Sequence, residues 1–434
     1  MRRVQQLPHL GLLLFFLISS QRCKTSEVYE QNQLQDLSSL LNTLVHSHYT
    51  NGVQAASALL SLRLVGIQRQ QLQQKLTQEV IEDVRSKGPD LSSGQLAWTI
   101  MALGACRNPD ESFIRDFHLV QHLEEKFQEE IRNMETHNGN PLTNYYQLSQ
   151  DVLALCLFSG NYLTTEIAHF FTPENKNYYF GGQFSVDTGA MAVLALTCVK
   201  RSIINQQIKT DQSVTQSIDS HIGILVKKIL SEKKNNDLLG NIYSTGEAVQ
   251  ALLVSSSYYK ENEWNYQRTL DAVHKEISQG AFKIPMAAAQ ILPALMGKTY
   301  LDVNKDSPCP GTSSNLNVSI PESGPVSPPP PSSLITVHYS VKVNKTDSTT
   351  VTVRNGSVFL DVMEKAQEHN KTIFGFTMKE TSWGPYITSV QGLKANSNER
   401  TYWEILSGGI PLSQGVGSYV VHDGEYLEIR WSKY

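Results

Sequence analysis

Ser92-Ser93-Gly94-Gln95-Leu96-Ala97-Trp98-Thr99-Ile100-Met101-Ala102-Leu103 sets a pattern that returns along the chain. Asp187-Thr188-Gly189 opens Ala190-Met191-Ala192-Val193-Leu194-Ala195-Leu196, and Ser244-Thr245-Gly246 opens Glu247-Ala248-Val249-Gln250-Ala251-Leu252-Leu253. Between them, Thr143-Asn144-Tyr145-Tyr146-Gln147 opens Leu148-Ser149-Gln150-Asp151-Val152-Leu153-Ala154-Leu155-Cys156, and a fifth run goes from Pro285 through Ala287, Ala288, Ala289 and Gln290 to Leu295. Most have a short polar opener followed by an Ala/Leu-rich helix that is apolar nearly all round, which marks burial. The runs recur roughly every 40–60 residues, the scale of a helical-hairpin repeat. Amphipathic stretches lie between them, such as Leu72 to Arg85 and Leu119 to Met134, and these suit outer helices. The expected architecture is about six hairpins closed into an α/α toroid.

The openers have a local explanation. Ser92 with Gln95, Asn144 with Gln147, and Ser244 with Glu247 have capping-box spacing, and Asp187 can cap alone. Capping by itself accounts for any one of them. In a toroid the inner helices run the same way, so all these polar N-termini collect at one mouth. The set is therefore equally consistent with a ligand site lined by hydroxyls, amides, carboxylates and free N–H groups.

The rest of the chain divides by composition. Its 434 residues are 40% hydrophobic and 18% charged, enough for more than one domain and too apolar for a disordered chain. Lys+Arg 37 against Asp+Glu 41 leaves a formal charge of −4, which argues against a nucleic-acid binder or a polybasic membrane-surface protein. Arg2 and Arg3, the apolar run Leu10 to Ile18 and then Ser19-Ser20-Gln21 read as a secretory signal, assigned to residues 1–23. That run is too short for a membrane span of ~20 residues, and no later stretch of that length is free of polar residues. Secretion, with neither nucleic acid nor a membrane as partner, is the expectation. Cys23 lies at the expected cut, so Cys106, Cys156, Cys198 and Cys309 remain, enough for two bridges in one of three connectivities. No Cys-x-x-Cys occurs, which excludes zinc-ribbon and thioredoxin readings.

Residues 24–306 form the helical part, and 307–333, with the run Pro328 to Pro331, a Pro/Ser-rich linker. Residues 334–434 form a small β-rich domain. Leu334 to Val343 and Thr349 to Val353 alternate, Ser418 to Val421 and Glu425 to Trp431 read as strands, and Val358 to His369 reads as a helix. The fold class is thus an α toroid plus a small α+β domain. Sequons at Asn317, Asn344, Asn355 and Asn370 all lie after residue 310, as expected for a bare helical part and a glycosylated C-terminal part.

Catalytic signatures are missing: there is no His-Glu-x-x-His, Gly-x-Ser-x-Gly, Walker loop or dinucleotide fingerprint. His46 with His48 and His118 with His122 lack a third ligand, so no metal is expected. Asp151, Asp187 and Glu247 are the carboxylates expected near the mouth. An extracellular α/α-toroid glycosidase using Asp187 and Glu247 is the alternative function they suggest. In the C-terminal part, Ser382-Trp383-Gly384-Pro385-Tyr386-Ile387 reads as an aromatic turn. Thr401-Tyr402-Trp403-Glu404-Ile405-Leu406-Ser407-Gly408-Gly409-Ile410-Pro411-Leu412 reads as a strand with a Gly-rich hairpin. Both fit either a small core or loops against which a flat apolar ligand lies.

Thr143-Asn-Tyr-Tyr-Gln147, Phe184-Ser-Val-Asp187-Thr, Ser244-Thr-Gly, Gln290-Ile-Leu-Pro-Ala-Leu295 with Asp302, Trp383-Gly-Pro-Tyr386 and Tyr402-Trp403, in this order, resemble the cobalamin (vitamin B12) carriers. That is the family of haptocorrin, intrinsic factor and transcobalamin, and the resemblance spans nearly the whole mature chain. The closing Arg430-Trp-Ser-Lys-Tyr434, and Gln183 near where transcobalamin offers a histidine to cobalt, look most like the haptocorrin branch. The resemblance implies a non-enzymatic carrier that binds cobalamin between an α/α barrel and a small β-rich domain, with broad corrinoid acceptance. Thr143, Asn144, Tyr145, Tyr146, Gln147, Asp187, Asn241, Ser244 and Gln290 would face the corrin from the barrel. Ser382 to Ile387 and Trp403 to Leu412 would cover it. It further implies bridges Cys106–Cys309 and Cys156–Cys198. A third family bridge maps onto Ser26 and Tyr266, neither a cysteine. No histidine ligand to cobalt is expected. The remaining expectations are a monomer and, as candidate partner, a cell-surface uptake receptor.

Overall fold

The computed structural model describes residues 33–49, 51–310, 333–381 and 384–434. The signal-type segment, Ser26, Asn317, Ser382 and Trp383 therefore lie outside the described residues. Six inner helices carry the helical part: α1 (Gly52–Val65), α2 (Ser93–Leu103), α3 (Tyr145–Leu157), α4 (Val186–Ile204), α5 (Ser244–Val254) and α6 (Pro285–Leu295). Each packs on the next, and α6 packs back on α1, so the ring closes. All fourteen residues of α1 are buried, as an all-round apolar helix demands. The outer layer keeps only one stripe inward. Leu76, Val80 and Val84 of Gln70–Lys87, and Leu119, Leu123, Phe127, Ile131 and Met134 of Leu119–Thr136, recur at helical spacing.

Two polar devices hold the ring. Pro293 lies inside α6 and has no N–H for the carbonyl of Ala289, which instead accepts from Ser61 Oγ of α1. Arg63 is buried, pairs with Asp110 and donates to the terminal carbonyls of α2, Ala102 at 2.8 Å and Leu103 at 3.0 Å. The structure joins Cys106 to Cys309 and Cys156 of α3 to Cys198 of α4. Tyr266, at the lost third bridge, donates its hydroxyl to Ala294 O at 2.7 Å.

The C-terminal lobe is a five-stranded sheet with a helix, Phe359–His369, on one face. Its strands are β1 (Leu334–Lys342), β2 (Thr346–Arg354), β3 (Phe376–Thr381), β4 (Gly384–Val390), β5 (Leu393–Lys394), β6 (Thr401–Ser407), β7 (Ile410–Pro411) and β8 (Tyr426–Lys433). The sheet order is β7-β6-β8-β1-β2, with β8 and β1 parallel, while β3-β4-β5 form a separate antiparallel sheet. Ile335, Val337, Tyr339 and Val341 alternate inward along β1 and meet Phe359, Val362, Met363 and Ala366 of the helix. Gly408 and Gly409 at φ 55° and 82° make the tight β6–β7 turn that branched residues avoid.

One strand expectation fails. Ser418 to Val421 forms only an isolated bridge, Val358 to Val420. This region instead serves the helix N-terminus: Phe359 N–H donates to Tyr419 O at 2.9 Å and Leu360 N–H to Val416 O at 2.8 Å. Asn344, Asn355 and Asn370 are exposed, and Asn370 also caps the turn Lys371–Phe374.

Candidate functional site

The N-termini of the inner helices share one end of the ring, and each is finished by local chemistry. Asn51 accepts from Gln54 N–H at 3.0 Å, and Ser92 with Gln95 makes the expected capping box. Asn144 caps α3, accepting from Gln147 N–H at 3.0 Å, but the box is incomplete. Gln147 Oε1 accepts from Ser92 Oγ of the neighbouring helix at 2.6 Å instead, tying two openers together.

Two cap assignments need correcting. Ser185, not Asp187, caps α4, accepting from Thr188 N–H at 3.2 Å, which leaves Asp187 in the first turn with its carboxyl unspent on capping. Ser244 is the first residue of α5 rather than its capping-box partner. Asn241 Oδ1 accepts from Tyr243 N–H at 2.8 Å and Ser244 N–H at 2.9 Å, and Ser244 Oγ donates to Leu239 O at 2.8 Å. Glu247 is thereby freed to point inward, where it accepts from the Tyr146 hydroxyl of α3.

Asp187, Glu247, Tyr146 and Gln290 thus come together in the throat of the ring. Burial, and then the nearby Asp187 charge, lift the Glu247 carboxyl to about 8, against the pull of the Tyr146 hydroxyl and the Gln290 amide. Burial lifts Asp187 to about 6, against the pull of its own backbone N–H. A second pair lies behind the loop before α3. Glu130 accepts from Ser93 Oγ at 3.0 Å and from Thr143 N–H at 3.1 Å. Asp151 is fully buried, and burial plus the Glu130 charge hold its carboxyl well above the usual range. Asp151 is thus grouped with Glu130 rather than with the Asp187–Glu247 pair.

Several buried polar atoms here have no protein partner: Thr143 Oγ1, Glu247 Oε2 and Gln290 Oε1. A buried polar atom left unpaired costs about 1–3 kcal/mol, a cost that a polar group brought in from outside offsets. Neutral or half-neutral carboxyls, hydroxyls and an amide suit an uncharged, amide-rimmed molecule. They suit a glycosidase poorly, because Glu247 is wholly buried and already engaged by Tyr146. Tyr145 differs from its expected role: it is buried in the ring, its hydroxyl donating to Phe170 O at 2.8 Å.

The β-rich lobe sits over this mouth. Asn51 Nδ2 donates to Thr381 O at 3.2 Å, Asn140 Nδ2 to Asn398 O at 2.8 Å, and Gln414 Nε2 to the Tyr243 hydroxyl at 2.7 Å. The residues expected to cover a ligand behave differently from one another. Trp403 and Ile387 are buried; Trp403 packs against Trp431 at 5.0 Å and its indole N–H donates to Leu393 O at 3.2 Å. Leu406 is buried, Glu404 pairs with Arg430 at 2.6 Å, and Ser407 Oγ donates to Glu425. Tyr386 and Ile410, 39% and 71% exposed, keep apolar surface outside the core, and Gly384, Pro385, Ile405 and Leu412 are only partly covered. Sequence reasoning overlooked the lobe-to-lobe contacts, among them Asn51 with Thr381, Asn140 with Asn398 and Tyr243 with Gln414. The polar run Asn396-Ser397-Asn398-Glu399-Arg400 was the available signal.

A groove of about 1410 Å³ lies at the opposite end of the ring, by Leu155 to Ser159 and the Cys156–Cys198 bridge, and holds none of the candidate mouth residues. Among the described residues no cluster of His, Cys, Asp and Glu could hold a metal ion, and no helix is long and apolar enough to cross a membrane.

A family model described as eukaryotic cobalamin-binding protein matches residues 8–331, and one for a domain of unknown function matches residues 356–433. The chain is 63% identical to human transcobalamin-1 over 434 residues, covering 100% of both chains. It is 50% identical to pig transcobalamin-1, covering 93% of this chain and 94% of that one. It is 34% identical to human cobalamin binding intrinsic factor, covering 91% and 89%. Among solved structures, haptocorrin in complex with Cbi superposes with a TM-score of 0.84 at 63% identity, covering 92% of this chain and 97% of that one.

Proposed function

Since this chain belongs to the eukaryotic cobalamin-binding proteins, we propose that it is a secreted corrinoid carrier of the haptocorrin type, binding one ligand between the mouth of the helical ring and the β-rich lobe. The observation that carries this reading is the docking of the lobe over a mouth whose buried polar atoms include Thr143 Oγ1 at the loop before α3 and Glu247 Oε2 and Gln290 Oε1 in the throat, each without a hydrogen-bond partner. A corrin is a broad apolar plane ringed by amides. It needs polar partners at its rim and apolar surface on its face. Thr143, Asn144, Tyr146, Gln147, Asp187, Asn241, Ser244 and Gln290 supply the rim. Residues 382–387 and 403–412 supply the cover, with Trp403 acting as the core prop beneath it.

The chain's residues bind and enclose; no reaction is assigned to them. Gln183 is exposed on the hairpin Tyr179–Phe180/Gln183–Phe184 and cannot replace an imidazole as a ligand, so the upper face of cobalt stays open to exchange. The haptocorrin neighbour's Cbi, cobinamide, lacks the lower base, which supports acceptance of corrinoids with altered lower ligands. Titrating the ligand-free protein with cyanocobalamin and with cobinamide tests the proposal. One equivalent of each binds tightly, with no histidine-type spectral change for aquocobalamin. Failure to bind either corrinoid refutes it. Sugar turnover that is lost in D187N and E247Q would restore the glycosidase reading.

A further inference from the structure

One short loop of the β-rich lobe, residues 395–400, grips two successive rim loops of the ring. At one end Asn398 Oδ1 accepts from Asn133 at 2.8 Å, its carbonyl accepts from Asn140 at 2.8 Å, and Ser397 Oγ donates to Leu142 O at 2.9 Å. At the other end stands Arg400. Its guanidinium donates to Asn177 Oδ1 at 2.6 Å, Lys176 O at 3.0 Å and Tyr179 O at 3.1 Å, and its Nε donates to Tyr434 O. The Tyr434 ring lies under the guanidinium at 4.7 Å and stacks on Phe180 at 4.9 Å. Asn177 closes the circuit, donating to Gly139 O at 2.8 Å beside Asn140.

Resting on the carrier reading above, we propose that Arg400 and Tyr434 form a latch that holds the β-rich lobe shut on the ring and sets how slowly the corrinoid leaves. Three points carry this. The planar fork fills several carbonyl and amide oxygens at once, which a lysine cannot do. The gripped hairpin, Tyr179–Phe184, runs directly into Ser185 and Asp187, so opening the latch loosens the mouth itself. The latch borders the cover, Tyr434 packing edge-on against Tyr402 at 5.8 Å, and it fastens the closed lobe, so it acts on departure more than on the first encounter. Arg400 and Tyr434 are positioning residues here; neither is assigned a contact with the ligand.

The test uses the full chain with R400Q, R400K, Y434A and F180S. Protein loaded with cyanocobalamin is chased with excess aquocobalamin, and solution scattering is recorded without ligand. R400Q, Y434A and F180S release the corrinoid about tenfold faster or more, with association within about twofold of wild type. R400K does not rescue, and Y434A with F180S adds little to either alone because they lose the same stack. Without ligand, R400Q shows a larger radius of gyration at an unchanged melting temperature. A wild-type release rate in R400Q, or a wild-type scattering profile, overturns the latch. A wild-type protein that binds no corrinoid refutes the carrier reading, and scattering then still decides the latch.

Discussion

The ring and the β-rich lobe solve the same problem with unequal means. The ring closes on itself through six packed helices, two disulfides and buried polar devices such as Arg63 and the Ser61–Ala289 contact. The lobe has its own core around Trp403 and Phe359, yet meets the ring through a few rim hydrogen bonds and one aromatic stack. The difference separates two properties that are often confused. Stability lives in the ring; retention of the ligand lives in the contact between the lobes. A pre-built cup with a lightly fastened lid binds without refolding and holds by slow opening.

That comparison breaks first if the lobes are separated. Residues 24–310, which keep the Cys106–Cys309 bridge, expressed without the lobe should lose about a thousandfold or more in cyanocobalamin affinity, some 4 kcal/mol, as read by equilibrium titration. Retention of full affinity by the ring alone would dissolve the distinction. Within the ring, Arg63→Met leaves the Asp110 carboxylate without its cation and the Ala102 carbonyl without its guanidinium donor, while Leu103 O keeps Asn108 Nδ2 at 3.0 Å. It should cost about 3–5 kcal/mol in denaturant unfolding while the folded fraction releases ligand at the wild-type rate. Ser61→Ala strands Ala289 O beside Pro293 and should cost about 1–3 kcal/mol by the same measurement, again with release unchanged.

A further effect is on pH dependence. Glu247 is raised to about 8 in the folded state, far above an unfolded glutamate near 4.3. The folded state therefore holds a proton that the unfolded state has lost. Its contribution is fully present below about pH 4 and disappears as pH rises towards 8. Glu247→Gln removes that dependence, so its melting temperature relative to wild type should rise between pH 5 and pH 8, by about 2–4 °C for each kcal/mol recovered. A flat difference would mean that Glu247 is ionised in the throat throughout.

Five of the six inner helices were legible because an Ala/Leu run with no polar face has only one place to go, and their spacing suggested about six hairpins; Gly52–Val65, interrupted by Gln54, Ser57, Ser61 and Arg63, was not singled out. The strands of the lobe were legible where alternation was real, as in Ile335 to Val341. Ser418 to Val421 looked the same but is spent on the orphan N–H groups of a helix start, a demand set by tertiary placement. Asp187 was read as a cap because a carboxylate two residues after Ser185 suits that role equally well; only the backbone geometry decides between them. The grip of Arg400 on Asn177 joins residues 223 apart, and no local pattern announces it.

Hydrogen exchange of the full chain with and without cyanocobalamin addresses the shared site most directly. Slowed exchange should appear together at the ring mouth, amides 143–147 and 241–244, and on the lobe, the amides of Gly384, Tyr386, Ile387, Gly408, Gly409, Ile410 and Leu412. Protection confined to one of the two would contradict a ligand held between them.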